Sequence, residues 1–294
     1  SGGAIYAQNL TLSSQGKGVL FANNTASAAA PKGGAIAIAD SGEISLSADG
    51  GDITFNGNTT KTTPVGAGST INRNAIDLGN QAKFTALRAT EGNSIYFYDP
   101  ITGDSAASSG DLNINNPESS ATYGGSIIFS GEKLSEAEKQ PTSGANANLK
   151  STFKQPVTLK SGSLVLKDGV TVDTNKFTQE TGSTLLMDAG TTLSASTADI
   201  TVTNLAVNMS SLNGTDKVTL SATAANQNVS LTGPITLMDD NGNAYENPNL
   251  RNSQEYSFVE LSAGSAGGAG TATPPTNTDP QITEQTPQHY GYQG

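Results

Sequence analysis

Short runs in which apolar and polar residues alternate recur along this chain. Residues 10–13 read Leu-Thr-Leu-Ser and residues 44–47 read Ile-Ser-Leu-Ser, which is the alternation of a half-buried strand. Triplets with a large apolar residue at each end continue the pattern at residues 200–202, 205–207, 218–220, 229–231 and 235–237, and the middle residue is polar in all of them except Ala206. Segments that contain proline separate the first runs, and proline cannot donate to a sheet ladder. The pattern predicts an all-β chain of many short strands.

Two motifs recur in the same order near the start of the chain. The first copy consists of Gly2, Gly3, Ala4 and Ile5, followed by Phe21 and Asn24. The second copy consists of Gly33, Gly34, Ala35 and Ile36, followed by Phe55 and Asn58. The spacing between copies is similar for both motifs, from Gly2 to Gly33 and from Phe21 to Phe55. Self-similarity of this kind indicates a stacked repeat, whereas one isolated copy would fit a hairpin turn beside a buried aromatic residue.

These residue types suit a solenoid, in which each coil of chain stacks on the next at about 4.8 Å. The isoleucines and phenylalanines would form apolar rows inside the coils. The glycine pairs would turn tight corners, because glycine accepts a positive φ. Asn24 and Asn58 would bond backbone groups at a corner or stack on each other in successive coils.

A second repeat follows in the later part of the chain. Residues 162–169 align with residues 182–190, so that Gly162 corresponds to Gly182, and each block then resumes a strand. Phe177 stands between them among polar residues, as an inward anchor would. At about 20–25 residues per coil, the chain would make about ten to twelve coils. Residues 131–154 interrupt the pattern as a helix or loop, because their first part has the composition of a short helix.

The two motifs together resemble the polymorphic membrane proteins of Chlamydia, and residues 74–98, 155–190 and 290–294 strengthen the resemblance. The resemblance implies an autotransporter passenger folded as a right-handed parallel β-helix. Residues 1–130 would carry the motif repeats, and residues 155–262 would form the middle domain after the interruption at 131–154. Residues 263–294 would be a linker and tail upstream of an outer-membrane barrel that this chain does not contain.

Composition narrows the chemistry that the chain can perform. Only 14% of its 294 residues are charged, its net charge is −11, and it has no cysteine. An acidic surface disfavours nucleic acid as a partner. The absence of cysteine excludes disulfides and thiolate metal ligands. We therefore expect no cofactor and no metal.

Candidates for catalysis or metal binding are few. The one histidine, His289, lies in the tail, which disfavours a Ser-His-Asp triad. Residues 239–243 offer oxygen ligands at alternate positions, as Ca²⁺ prefers. However, the glycine and glutamate positions of an EF-hand loop would hold Ala244 and Leu250, so an Asn-Gly turn is favoured.

Some β-helix proteins cleave acidic polysaccharides with clustered carboxylates and basic residues. Asp168 and Asp188 would lie one coil apart, but their sequences are also typical of turns. The other charged candidates are Asp77, Arg88, Asp99 and Asp104. We expect no enzymatic activity, although a polysaccharide-active enzyme stays open as an alternative.

The expected function is that of a surface passenger of a type V autotransporter, acting as an adhesin and antigen at the bacterial outer membrane or after release by processing. The expected partners are a host-cell receptor or glycan, the chain's own membrane barrel and further copies of the chain. A structural spacer for an upstream adhesive region is the second alternative. Because inward residues are committed to packing, we expect host contact at the longest segments without strands, which are the insertions 59–73, 101–122 and 131–152.

Overall fold

The computed structural model describes residues 2–64, 70–104, 110–140, 147–245, 255–264, 270–273, 282–285 and 289–293. Side chains are described up to residue 245, in 257–264 and in 270–273. The regular secondary structure of the described residues is almost entirely β-strand. It contains no α-helix and one 3-10 turn at Met209–Ser211.

The first thirteen strands lie between residues 5 and 130. They are β1 (Ile5–Ser14), β2 (Val19–Ala22), β3 (Thr25–Ala28), β4 (Ile36–Ala48), β5 (Ile53–Asn56), β6 (Thr59–Thr62), β7 (Ile71–Arg73), β8 (Ile76–Leu78), β9 (Lys83–Ala89), β10 (Ser94–Phe97), β11 (Ile101–Gly103), β12 (Leu112–Ile114) and β13 (Ser126–Ser130).

The later strands follow from residue 150 onward. They are β14 (Lys150–Thr152), β15 (Pro156–Leu159), β16 (Gly162–Lys167), β17 (Thr171–Thr174), β18 (Lys176–Gln179), β19 (Ser183–Met187), β20 (Thr192–Ala195), β21 (Ile200–Val202), β22 (Leu205–Asn208), β23 (Val218–Ala222), β24 (Val229–Leu231), β25 (Ile235–Met238), β26 (Glu255–Ser262), β27 (Ala272–Thr273), β28 (Ile282–Gln285) and β29 (His289–Gln293).

Three large sheets and one short sheet contain these strands. Sheet I joins β1, β4, β8, β9, β11, β12, β15, β18, β21, β24 and β27, and sheet II joins β2, β5, β10, β13, β16, β19, β22 and β25. Sheet III joins β14, β17, β20, β23, β26, β29 and β28, and the short sheet joins β3, β6 and β7. Successive coils place parallel strands side by side in each large sheet, so the chain is a parallel β-helix, as expected.

The inward residues form the expected rows. The Ile5–Ile36 pair of sheet I continues through Ile76 and Ile101. One row of sheet II begins with four phenylalanines and continues with aliphatic residues: Phe21, Phe55, Phe97, Phe129, Leu166, Met187, Val207 and Leu237. Neighbouring phenyl rings are stacked, with centroids 4.9, 5.2 and 4.9 Å apart. Burying each such side chain contributes roughly 1.5–3 kcal/mol to folding.

The coils differ in length on the two sides of Leu166. Every step of the sheet II row as far as Leu166 takes more chain than any step beyond it, and the two shortest steps lead to Met187 and then to Val207. We call residues 2–165 the long-coil region and residues 166–245 the short-coil region. Sheet II has eight strands in the described chain, so the expectation of ten to twelve coils is wrong. Insertions in the long-coil region account for the difference.

The pairing of the second repeat is shifted by one position from the expected alignment. Leu164 pairs with Leu185. The expected alignment of Gly162 with Gly182 would place Leu164 beside Thr184, and a slip of one position moves every side chain to the other face of a sheet. Burial of the apolar row therefore fixes the register, while the similarity of the glycine-serine pairs does not.

Residues 131–154, which were expected to be a helix or loop, contain no helix in their described part. Residues 131–140 form consecutive turns. Ser135 and Glu138 bond each other's backbone amides like a helix-capping box, and the Lys139 amide donates to Ser135 O. One turn buries only Leu134, which is too little to support a longer helix.

The segment expected to be linker and tail contains strands. Strand β27 pairs with β24 in sheet I. Strand β29 pairs antiparallel with β26 and with β28, and these are the last strands of sheet III. Parts of residues 263–294 therefore belong to the sheets, where composition alone had indicated a linker.

Candidate interaction surface

The twelve motif residues differ in burial between the two copies. Seven are buried, namely Phe21, Gly33, Gly34, Ala35, Ile36, Phe55 and Asn58. Three are partly buried, namely Gly2, Ile5 and Asn24, whereas Gly3 and Ala4 are exposed. The second copy is covered on both sides by neighbouring coils, and this accounts for its deeper burial.

Close approach of the coils explains why glycine is required at most of the motif's glycine positions. Of the four, only Gly33 has a positive φ, at 71°. A Cβ atom added to Gly34 would lie 2.3 Å from the Asn74 carbonyl oxygen, and one added to Gly3 would lie 2.0 Å from the Gly34 carbonyl oxygen. The expected role in turning a corner therefore applies to Gly33, while Gly3 and Gly34 are required because no side chain fits between the coils.

Asn74 takes the place of the glycine pair in the third coil. Its Oδ1 accepts from the Gly33 amide at 2.9 Å and from the Gly34 amide at 3.3 Å. Its Nδ2 donates to Pro100 O at 3.1 Å and to Thr102 Oγ1 at 3.0 Å. This buried side chain thus connects the glycine corner with the next coil.

The motif asparagines form a ladder across successive coils. Asn24 Nδ2 donates to Asn58 Oδ1 at 2.9 Å, and Asn58 Nδ2 donates to Asp99 Oδ2 at 2.8 Å and to Phe21 O at 2.9 Å. The amides of Gly57 and Asn58 also donate to the Asp99 carboxylate, each at 3.0 Å. The side chains therefore both stack and bond the backbone, and Asp99, two residues after Phe97, continues the ladder in the third coil.

Arg73 links this ladder to the turns at 131–140. Its Nη1 lies 2.8 Å from Asp99 Oδ1, and the Asp99 side chain is fully buried. Its Nε donates to Glu138 Oε2 at 2.5 Å, and its Nη2 donates to Lys133 O at 3.0 Å. The hydrogen bond from Arg73 is the main reason why the pKa of Glu138 is lowered to about 2.

The three insertions converge on one groove of about 430 Å³. Contrary to expectation, they are not free of strands, because they contain β6, β7, β11, β12 and β14. The insertion 59–73 supplies Asn72, the insertion 101–122 supplies Thr102 and Asp104, and the insertion 131–152 supplies Lys150. A hollow of about 370 Å³ continues from it past Lys32 to Tyr6. We call the two together the insertion groove.

Asp77 lies on the floor of the insertion groove. It is 7% exposed, and its Oδ1 accepts from Thr102 Oγ1 at 2.7 Å. Because Asn74 donates to the same hydroxyl oxygen, the hydroxyl proton is directed at the carboxylate. Burial raises the pKa of Asp77 above its ordinary value. On the wall, Lys32 Nζ lies 2.7 Å from Asp104 Oδ1.

The charged candidates from the sequence separate into three places. Asp77 and Asp104 lie in the insertion groove, and Asp99 lies in the ladder. Arg88 lies elsewhere, where its guanidinium pairs with Glu118 and covers the Tyr123 ring at 4.5 Å. The four are therefore not one cluster.

Asp168 and Asp188 lie at the same corner in successive coils. Of their two carboxylates, only that of Asp188 bonds the other residue. Asp188 Oδ2 accepts from the Asp168 backbone amide at 3.1 Å, and Asp188 Oδ1 accepts from Asn208 Nδ2 at 2.9 Å. Asn208 Nδ2 also donates to Asp240 Oδ1. Burial raises the pKa of Asp188. The arrangement is a second polar ladder, now in the short-coil region.

The calcium candidate is a closed turn. Asp239 Oδ1 accepts from the amides of Asn241 and Asn243, each at 2.9 Å, and Gly242 has a φ of 78°. These amides, Asn243 first, lower the pKa of Asp239. Among the described residues no group of His, Cys, Asp and Glu is placed to hold a metal ion. The side chain of His289 lies outside the described residues.

Comparison with known proteins identifies the family of the chain. Residues 162–294 match the family model for the Chlamydia polymorphic membrane protein middle domain. Probable outer membrane protein pmp10 of Chlamydia pneumoniae is 54% identical over 301 residues. The chain belongs to the polymorphic membrane protein family. Probable outer membrane protein pmp7 of the same organism, another polymorphic membrane protein relative, is 48% identical over 299 residues.

These alignments cover all of the chain but only part of the polymorphic membrane protein relatives. The chain spans 31% of pmp10 and 30% of pmp7. The resemblance inferred from the motifs is confirmed. No solved structure matches the chain. In the described part of the chain, no helix has the length and apolar character that crossing a membrane requires.

Proposed function

We propose that this chain is part of the surface passenger of an outer-membrane autotransporter and acts as an adhesin. Its relatives are each named a probable outer membrane protein, which supports a location at the bacterial outer membrane. The partner would be a host-cell receptor or glycan. Further partners would be the membrane barrel of the same protein and other copies of the chain, but not nucleic acid.

The observation that carries the proposal is the convergence of the three insertions on one groove. A β-helix needs no such insertions to form its core, since the short-coil region stacks its coils in the same parallel register without them. Extra chain at the surface of a rigid scaffold is where binding residues concentrate. Arg73 fixes two of the insertions to each other through Glu138 and through Asn148 Oδ1, which accepts from the Arg73 amide at 2.8 Å.

The motif residues themselves are poor candidates for contact with a partner. Ile36 and Phe55 have no exposed surface, and Asn58 is equally inaccessible. Their repetition therefore reflects the stacking of coils. A partner would meet the outward side chains and the insertions, and a solenoid presents these along an extended face.

Attachment of coated beads to epithelial cells tests the adhesin proposal. One set of beads carries the 294-residue chain, and a second carries a variant in which residues 104–111 are replaced by a short Gly-Ser turn. A third carries the matched replacement of residues 239–243 in the short-coil region. We expect the first replacement to reduce attachment several-fold and the second to leave it unchanged, with circular dichroism spectra the same for all three.

Two outcomes would count against the proposal. If beads with the parent chain attach no better than uncoated beads, the chain is a spacer that extends the surface without binding. If both replacements attach as well as the parent, adhesion does not depend on the groove.

A further inference from the structure

The insertion groove has three chemical features along its length. An exposed aromatic ring stands at one end, a buried carboxylate lies on the floor, and two lysines stand at the other end. Small-molecule sites in proteins typically combine a hollow with a few placed polar groups of this kind. The chemistry of these groups identifies the class of ligand.

The aromatic end is Tyr6, which is 66% exposed. Its neighbours across sheet I are Ala37, then Asp77, then Thr102, all on the outward face of their strands. Because the Ala37 side chain is small, the groove stays open between Tyr6 and Asp77. Four neighbouring strands span about 14 Å at the usual spacing of about 4.8 Å, so the groove is long enough for several linked rings. A tyrosine at the edge offers both a flat apolar face and a hydroxyl.

The floor offers a hydrogen-bond acceptor. Thr102 donates to Asp77 Oδ1, and no described residue donates to Asp77 Oδ2. A buried charge is costly unless it is hydrogen-bonded, so a ligand hydroxyl that donates to Oδ2 would be favoured. Neutral sugars carry such hydroxyls on every ring.

The far end is cationic. Lys150 and Lys154 form no ion pair with any described residue, whereas Lys32 beside them is neutralised by Asp104. The Lys154 side chain passes over Gly103, since a Cβ atom there would lie 3.5 Å from Lys154 Cγ. Two lysines that pair with no carboxylate of the described residues make this end locally cationic in a chain with a net charge of −11.

The arrangement of charges favours a ligand with a single anionic group, bound at the lysine end of the groove. Asp77, Asp104 and Asp40 line the rest of the groove and would repel a polyanion such as a nucleic acid. An apolar peptide would find no apolar wall. A ligand with neutral, hydroxyl-rich rings and one terminal carboxylate satisfies all three features.

We propose that the insertion groove binds an acidic oligosaccharide. Its carboxylated sugar lies between Lys150 and Lys154, and its neutral sugars lie over Asp77 toward Tyr6. The inference rests on the proposed adhesive function, because it names the surface glycan as the partner of the same groove.

Titration calorimetry of the 294-residue chain with sialyl lactose, and separately with lactose, tests the proposal. We expect sialyl lactose to bind and lactose to bind more weakly. Two exposed ion pairs together change affinity by about tenfold, so the double variant Lys150→Ala, Lys154→Ala should lose about that factor for sialyl lactose and little for lactose. Tyr6→Ala should weaken both sugars. Lys176→Ala, an exposed lysine of the short-coil region, is the matched control and should change neither.

Three results would overturn the proposal. They are no binding of sialyl lactose to the parent chain, equal binding of the two sugars, and unchanged binding by the double lysine variant with a parent-like circular dichroism spectrum. Attachment of coated beads to cells distinguishes the failure of this proposal from the failure of the adhesin proposal. If beads attach equally well to cells before and after sialidase treatment, adhesion holds and the acidic glycan is wrong. If beads do not attach but sialyl lactose binds as expected, the glycan site holds and adhesion is wrong.

Discussion

The long-coil and short-coil regions share one core and differ in what surrounds it. Both continue the same inward row of sheet II, from Phe21 to Leu237, without a break in parallel pairing. The long-coil region has a stacked phenylalanine row, the Asn24–Asn58–Asp99 ladder and three insertions. The short-coil region has aliphatic side chains in the same row, and its coils are shorter and carry none of the three insertions.

The difference shows that coil length can change without disturbing the core, provided that extra chain leaves and returns at corners. A solenoid coil contacts only its neighbours, so an insertion at a corner does not alter the next strand. Polar ladders at the corners fix where the chain returns. Surface is thereby added to the long-coil region, while the short-coil region keeps a shorter repeat.

The largest expected loss of stability comes from a substitution in the phenylalanine row of sheet II. Phe55→Ala removes a fully buried ring that stacks on Phe21 and Phe97, and it should cost about 3–5 kcal/mol of unfolding free energy. Met187→Leu, at the same row in the short-coil region, conserves volume and should cost under about 1.5 kcal/mol. Urea denaturation measures both. A Phe55→Ala variant as stable as Met187→Leu would show that the row does not stabilise the long coils.

The second effect concerns the buried charge at the corner. Arg73→Met removes the partner of the fully buried Asp99 and should cost about 3 kcal/mol. Arg88→Met removes a surface pair with Glu118, whose side chain is 50% exposed, and should cost under about 1 kcal/mol. Equal losses in the two melting curves would contradict a structural role for the Asp99 ladder.

A third comparison separates two reasons for glycine. Gly34→Ala would push a Cβ atom against the Asn74 carbonyl oxygen at 2.3 Å, and such overpacking costs about 1–3 kcal/mol. Gly50→Ala meets no atom within 4 Å but has a φ of 94°, so it should cost about 1–2 kcal/mol from backbone strain alone. Chemical denaturation of both variants measures the difference. We expect Gly34→Ala to be the less stable, and the reverse order would contradict close approach of the coils as the reason for glycine at position 34.

The smallest effect is a pH dependence from the turns at 131–140. The pKa of Glu138 is about 2 in the folded chain, below its ordinary value of 4.5, so its stabilising effect is full above the ordinary value and is lost as pH falls toward about 2. The melting temperature of Glu138→Gln should therefore lie below that of the parent at neutral pH, and the gap should close in acid. Glu136→Gln, whose side chain is 92% exposed, is the control and should show no such gap. A gap that does not vary with pH would contradict the Arg73–Glu138 contact.

The sequence was sufficient to predict the inward rows because they repeat. The alternation around Leu12 and Leu46 and the pairing of Phe21 with Phe55 follow from residue type and spacing, and both pairs are in register. Phe97 continues the row less visibly, since its coil has Pro100 at the position of the motif asparagine and an aspartate one residue earlier. The number of coils could not be predicted, because insertion lengths have no periodic signal.

The insertion groove could not be predicted for a different reason. Tyr6, Lys32, Asp77, Asp104 and Lys150 are far apart in sequence, and only the stacking of coils brings them together. Asp77 and Asp104 were candidates merely as charged residues. Residues 131–154 were expected to be a helix or loop, and no helix forms at 131–140 because the capping box of Ser135 with Glu138 serves a single turn that contacts Arg73.

One comparison of cell attachment tests most directly whether binding belongs to the long-coil region. Beads carry either a groove variant with alanine at Tyr6, Lys150 and Lys154, or a short-coil variant with alanine at Lys167, Lys176 and Leu186. Circular dichroism and melting temperature confirm that both retain the fold. The account predicts that the groove variant loses most of its attachment to epithelial cells and that the short-coil variant retains it. Equal attachment of the two variants, or loss only by the short-coil variant, would contradict the account.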